Sequence, residues 1–162
     1  MMDITYRPIG TIHSPFTDLK DMPIQPTGEA TASGWIEISP ELADGLKDLE
    51  GFSHIILLYH LHQAPSARLT VTPFLDEEPH GIFATRAPTR PNPVGLSVVK
   101  LVRIEGTVLR LAGVDILDGT PLLDIKPYVP SFDAPDNVQI GWLKLAQARA
   151  KSTRSDSRFT KT

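Results

Sequence analysis

The chain has 162 residues, 41% of them hydrophobic and 22% charged, and it contains no cysteine. That length suits one domain with a sizeable core, disulfides and thiolate metal sites are excluded, and no run is apolar enough to predict a membrane-spanning helix. The net charge of −3 excludes a globally cationic nucleic-acid binder, so such a partner must be held by local basic patches.

Short runs rich in Val, Ile, Leu, Tyr and Thr, separated by Gly, Pro and Asp, predict an all-β domain. Strands are expected near 4–13, 34–39, 53–62, 69–74, 80–85, 95–104, 107–116 and 121–128. The start of the chain lacks the basic-then-apolar pattern of a leader, and a cytoplasmic location is expected. After the first strand comes a long proline-containing loop at 17–33, a length that is often functional. "SPELADGLKDLEG" (39–51) predicts a helix with Ser39 as its cap, Pro40 in its first position and Gly51 at its end. The turns "IEGT" and "LDGT" make 95–128 a meander, and closing so many consecutive strands into a barrel would remove exposed edges. An open sandwich is the alternative. A second helix is expected over about 140–150, before the tail "ARAKSTRSDSRFTKT". There Arg149, Lys151, Arg154, Arg158 and Lys161 face a single acid, Asp156, and mobility is expected. The division is therefore a barrel domain over 1–142 and a short helix with a basic tail over 143–162.

Three stretches carry candidate chemistry. In "HIILLYHLHQ" (54–63), strand alternation puts His54, His60 and His62 on one face and Ile55, Leu57, Tyr59 and Leu61 on the other. Two histidines two apart on a strand can chelate a metal, but zinc needs a third ligand, which His13 or His80 would have to supply. Otherwise His60 and His62 line a polar pocket or hydrogen-bond across the sheet. In "GIFATRAPTRPNPVGLS" (81–97), Pro88, Pro91 and Pro93 lack backbone donors and hold their predecessors extended, so the sheet must break at 87–93. A stiff loop costs little entropy to order, which makes it a mount for Arg86, Arg90 and Asn92. A guanidinium there can hold a carboxylate or phosphate through paired donors; the alternative is a crossover with solvated arginines. In "GVDILDGTPLLDIKPY" (113–128), Asp115, Asp118 and Asp124 are candidate bases or ligands, and Lys126 and Tyr128 share the face of Asp124. Asp118-Gly119 is also what a tight hairpin demands, whereas Asp115 and Asp124 interrupt apolar runs and need partners if buried. No P-loop, dinucleotide fingerprint or serine nucleophile elbow is present.

Taken together, "PIGTIHSPF" (8–16), "GIFATRAPTRPNPVGLSVVKL" (81–101) and "DILDGTPLLDIKPYVP" (115–130) resemble the TrmO family, also called YaeB-like or TsaA-like, from about Tyr6 to Phe132. The resemblance implies an all-β fold, a single-sheet antiparallel β-barrel with one or two short helices, which dimerises. It implies a methyltransferase that uses S-adenosylmethionine to methylate N6 of threonylcarbamoyladenosine next to the anticodon of tRNA. Residue by residue, it implies a cofactor site of Pro26, Thr27 and Gly28, His62 and Gln63, Arg86 and Leu96, and Gly113, Val114 and Asp115. On this reading Arg86 and Arg90 clamp the carboxylates of the cofactor's methionine part and the substrate's threonyl part, and Arg90 and Asn92 bind substrate. A base or acceptor for the reacting nitrogen is sought among Asp118, Asp124, Lys126 and Tyr128. No metal and no membrane are expected. Longer members of the family carry a further C-terminal domain, and here the cations of the tail are expected to contact tRNA phosphates instead. Three other readings stay open: a methyltransferase of the same fold with another acceptor, a metal-dependent enzyme built on His60 and His62, and a non-catalytic RNA-binding module.

Overall fold

The computed structural model describes residues 1–22, 32–74, 76–144 and 146. Eight strands are formed: β1 (Gly10–His13), β2 (Ser33–Ile38), β3 (His54–His60), β4 (Thr70–Val71), β5 (His80–Gly81), β6 (Val94–Glu105), β7 (Val108–Ala112) and β8 (Thr120–Pro127). Six of them close into an antiparallel barrel in the order β1-β2-β7-β6-β3-β8, while β4 and β5 form a separate two-stranded ribbon. The barrel expected from the strand count is thus the observed fold, and closure leaves its six strands no edge to protect.

Alternation decides which side chains fill the interior. On β3, Ile55, Leu57 and Tyr59 point inward, while His54 and His60 are exposed. They meet Ile12 of β1, Ile36 and Ile38 of β2, Val99 and Leu101 of β6, Leu109 and Leu111 of β7 and Leu122 of β8 in one core. Burial of each large aliphatic side chain contributes about 1.5–3 kcal/mol. The β6–β7 hairpin turns at Gly106, whose φ of 63° lies in the left-handed region that glycine enters without a steric cost.

Several elements differ from their expected form. The first strand begins at Gly10 rather than near residue 4, because Pro8 has no backbone donor with which to extend the ladder. Residues 39–51 are not one helix but two 3-10 segments, Pro40–Leu46 and Leu49–Gly51. Between them Lys47 is extended and Asp48 is left-handed at φ 67°, and Gly45 weakens the helical preference within the first. The Ser39 side chain makes no capping bond. Both segments serve the core through Leu46 and Leu49, which pack against it. The strand expected at 107–116 ends at Ala112, so residues 113–119 form a longer connection in place of a tight hairpin. A short helix, α1 (Pro130–Asp133), was not anticipated. Of the helix expected over 140–150, residues 143, 144 and 146 are helical, and the remainder and the basic tail lie outside the described residues. No described helix is long and apolar enough to cross a membrane.

Candidate functional site

The topology sends every long connection except one to the same mouth of the barrel. β1 and β3 end there at His13 and His60, β7 ends there at Ala112, and β2, β6 and β8 begin there. The connections 14–32, 61–93 and 113–119 therefore share one rim, and the exception, 39–53, closes the opposite end. All the expected cofactor residues except Leu96 belong to these three connections. Pro26, Thr27 and Gly28 lie outside the described residues. The connection that contains them is tied to the third one through Ala32, whose carbonyl accepts from Gly113 N at 2.7 Å and Val114 N at 3.1 Å.

A hydrogen-bonded chain of polar side chains enters the barrel at this mouth. The Ser97 hydroxyl donates to Asp115 Oδ1 at 2.7 Å and lies 2.9 Å from the Tyr59 hydroxyl. Since Ser97 has one proton and gives it to the carboxylate, Tyr59 is the donor in the second bond. Ser97 and Tyr59 are 2% and 7% exposed, and Asp115 is half-buried. Burial pushes the Asp115 carboxyl up from its ordinary value, against the opposing effects of the Ser97 bond, its own main-chain NH and the positive charge of Arg86. Burial, and after it the negative charge of Asp115, also push the Tyr59 hydroxyl up, so it remains a donor at neutral pH. Arg86 is exposed on the proline loop and its field reaches both groups. At the same rim, His62 Nδ1 lies 3.4 Å from Thr120 Oγ1. Partial burial and then the neighbouring His60 lower its pKa, which favours neutral imidazole.

The proline loop is held by donors from outside its own ladder. Arg90 Nη1 donates to Thr85 O at 2.8 Å, Ile82 O at 3.1 Å and Ala87 O at 3.5 Å, and its guanidinium stands 5.9 Å from the Phe83 ring centroid. Trp142 Nε1 donates to Ala84 O at 2.9 Å, and the indole stacks on His80 at 4.5 Å. His80 Nε2 in turn meets Asp76 Oδ2 at 3.0 Å. The carbonyls of 82, 84, 85 and 87 are thereby all engaged around Arg86, while Asn92 is exposed further along the loop.

Other candidates stand elsewhere. Asp118 is at the rim, but its Oδ1 accepts from Ser14 N at 3.1 Å and meets His13 Nδ1 at 3.3 Å, which latches the end of β1 to the 113–119 connection. Asp124 pairs with Leu58 on the outer face, where Oδ2 meets Lys126 Nζ at 2.8 Å, and that bond raises the Lys126 pKa. Tyr128 N bonds to His54 O at 3.1 Å, where β3 starts, so Tyr128 is at the opposite end, about 26 Å along the chain from Thr120 at the usual rise per residue. Leu96, one residue before inward-facing Ser97, is on the outer face and 47% exposed. β3 stops at His60 and Leu61 N turns to Pro93 O at 2.8 Å. His62 is therefore not on the strand, and the two-apart strand geometry expected for His60 and His62 is not formed. No cluster of three or more His, Cys, Asp or Glu among the described residues could hold a metal ion.

Two members of the site, Tyr59 and Ser97, were not singled out from sequence. The available signal was a serine at an inward position of "GLSVVKL", between Gly95 and Val99 on the same face, facing a strand whose inward row ends in tyrosine.

Residues 11–134 match the family described as the tRNA-methyltransferase O N-terminal domain. A probable S-adenosyl-L-methionine-binding protein of Pyrococcus abyssi is 58% identical over 156 residues, covering 96% of this chain and 85% of its own. The mouse tRNA (adenine(37)-N6)-methyltransferase is 36% identical over 82% of this chain, which spans 32% of the mouse protein. The crystal structure of TrmO from Pseudomonas aeruginosa superposes with a TM-score of 0.74 at 41% identity, over 87% of this chain and 63% of that one.

Proposed function

Because the chain belongs to the tRNA-methyltransferase O family, we propose that it is an S-adenosylmethionine-dependent tRNA methyltransferase and that its acceptor is N6 of threonylcarbamoyladenosine beside the anticodon. The observation that carries this reading is the meeting, at one mouth of a barrel of this family, of a half-buried carboxyl and an exposed guanidinium, Asp115 and Arg86. That donor set fits the cofactor, which carries positive charge on sulfur and nitrogen and a carboxylate at its methionine end. Asp115 suits the cationic part, Arg86 the carboxylate, and neutral His62 the uncharged nucleoside. The bound cofactor supplies an electrophilic methyl group on a sulfonium.

What the chain's own residues contribute is placement and charge. The 82–87 backbone, fastened by Arg90 and Trp142, holds Arg86 over the rim, and fixed geometry of this kind supplies much of a transfer rate. The acceptor nitrogen loses a proton as it is methylated, so an acceptor near it assists. Among the expected bases Asp118 is the one at this rim, and we assign it that role in preference to Asp124, Lys126 or Tyr128. Asn92 is kept as a substrate contact on the same loop. The tail cations contribute sequence-independent phosphate contacts, which makes tRNA binding depend on salt. A homodimer is supported by exposed Val94 and Leu96 on the outer face of β6.

The test is methyl transfer from labelled S-adenosylmethionine to two tRNA pools, with and without threonylcarbamoyladenosine, followed by nucleoside mass spectrometry. Label in the modified pool alone is expected. Label in neither pool, with cofactor bound, would transfer the proposal to another acceptor.

A further inference from the structure

Two features aim Tyr59 at one carboxyl. Across the ladder from Tyr59 stands Gly95, where a Cβ would lie 2.2 Å from Tyr59 Cε2 and 2.6 Å from Cζ; only the bare backbone lets the ring lie there. The ring so seated reaches Ser97, and Ser97 reaches Asp115. Two hydroxyls and a carboxyl at the end of an otherwise aliphatic core cost stability unless each is bonded, and bonded in series they strengthen one another and define one arrangement. Leucine at 59 and valine at 97 would continue the rows of Leu57 and Val99 without that cost.

We infer that Tyr59 and Ser97 are positioning residues: their hydrogen-bond chain holds Asp115 in one orientation as an acceptor for a cationic group of the ligand at the barrel mouth. That the ligand is S-adenosylmethionine rests on the function proposed above; that the chain acts on Asp115 does not. The groups acting on this carboxyl are Arg86 from the proline loop, Tyr59 from β3, Ser97 from β6 and its own main-chain NH. Ser97 and Arg86 favour the carboxylate, while burial opposes it. Loss of Ser97 therefore moves the ionisation of Asp115 to higher pH, and loss of the Tyr59 hydroxyl, which polarises Ser97, moves it the same way by less.

The experiment is a carboxyl-carbon NMR titration of the full chain without ligand, with the Asp115 signal assigned by Asp115→Asn. Ser97→Ala is expected to raise the Asp115 midpoint by about one pH unit, and Tyr59→Phe by a smaller resolved amount. Phenylalanine keeps the ring on Gly95 and removes only the hydroxyl, so this variant carries the test if Ser97→Ala does not fold. A folded Tyr59→Phe protein with an unmoved Asp115 midpoint overturns the inference. The same variants are then titrated with S-adenosylmethionine between pH 5 and 8, where about a 3- to 10-fold loss of affinity, larger at the acid end, is expected for a charge-assisted contact. Wild-type protein that shows the coupled midpoint but does not bind S-adenosylmethionine leaves the chain of positioning residues standing and refutes the ligand.

Discussion

Gly95→Ala should act through one aromatic ring. The added Cβ would stand 2.2, 2.6 and 2.9 Å from Tyr59 Cε2, Cζ and Cδ2, distances real carbon atoms do not tolerate, and the ring is buried and bonded at its hydroxyl. Forcing it aside is an overpacking change of about 1–3 kcal/mol, offset by about 0.5–1 kcal/mol from replacing a strand glycine. A net loss of up to about 2.5 kcal/mol lowers the melting temperature of a domain this size by up to roughly 10 °C. Thermal unfolding followed by calorimetry reads this directly. The decisive arm repeats the substitution in a Tyr59→Leu background, where the ring is gone and alanine should cost nothing or stabilise slightly. An equal loss in both backgrounds would refute the argument, because the cost would then belong to the strand backbone and not to the ring.

Asp115→Asn is expected to raise thermal stability at neutral pH while weakening cofactor binding. The folded-state pKa of Asp115 is raised, so between its ordinary and raised values the folded chain binds more protons than the unfolded one; stability falls as pH rises through that window and stays lower above it. Melting curves across pH should show that slope in the wild type and its loss in the variant. Arg90→Ala removes the side-chain donor from the carbonyls of Thr85 and Ala87, while Ile82 O keeps Thr85 N and Thr85 Oγ1, and should lower the melting temperature and weaken cofactor binding together with turnover. If turnover on tRNA falls while stability and cofactor affinity hold, Arg90 is a direct substrate contact. Trp142→Phe keeps the stack on His80 but deletes the bond to Ala84 O, worth about 0.5–1.5 kcal/mol; amide hydrogen exchange over 82–87 should accelerate, with the barrel strands unchanged.

How far the site was legible from sequence depended on the range of the signal. Loop chemistry is local: the prolines at 88, 91 and 93 break a ladder wherever they stand, and the arginines they present are visible without a fold. Roles within that loop were not legible. Arg90 reads as an anion clamp, and nothing local shows that its Nη1 also bonds three carbonyls of the loop, contacts set by how 82–87 doubles back. Asp118-Gly119 reads as a hairpin, yet the carboxylate serves the end of β1, more than a hundred residues away in sequence. The histidine pair failed as a strand motif for a similar reason: β3 ends one residue before Leu61, and where it ends is set by its pairing with β6 and β8.

By itself the sequence determined the class of the fold and the faces of its strands, because a period of two separates Ile55, Leu57 and Tyr59 from His54 and His60 in any half-buried strand. It also determined, through motifs spread over most of the chain, the family. Only the tertiary structure decided which end of the barrel carries the site, since that follows from the order β1-β2-β7-β6-β3-β8 and the shared rim of three connections. It alone joined Tyr59, Ser97 and Asp115, residues 38 and 18 positions apart. Their hydrogen bonds are short-ranged and directional, so they exist only after the closed sheet has brought β3, β6 and the 113–119 connection within a few ångströms of one another.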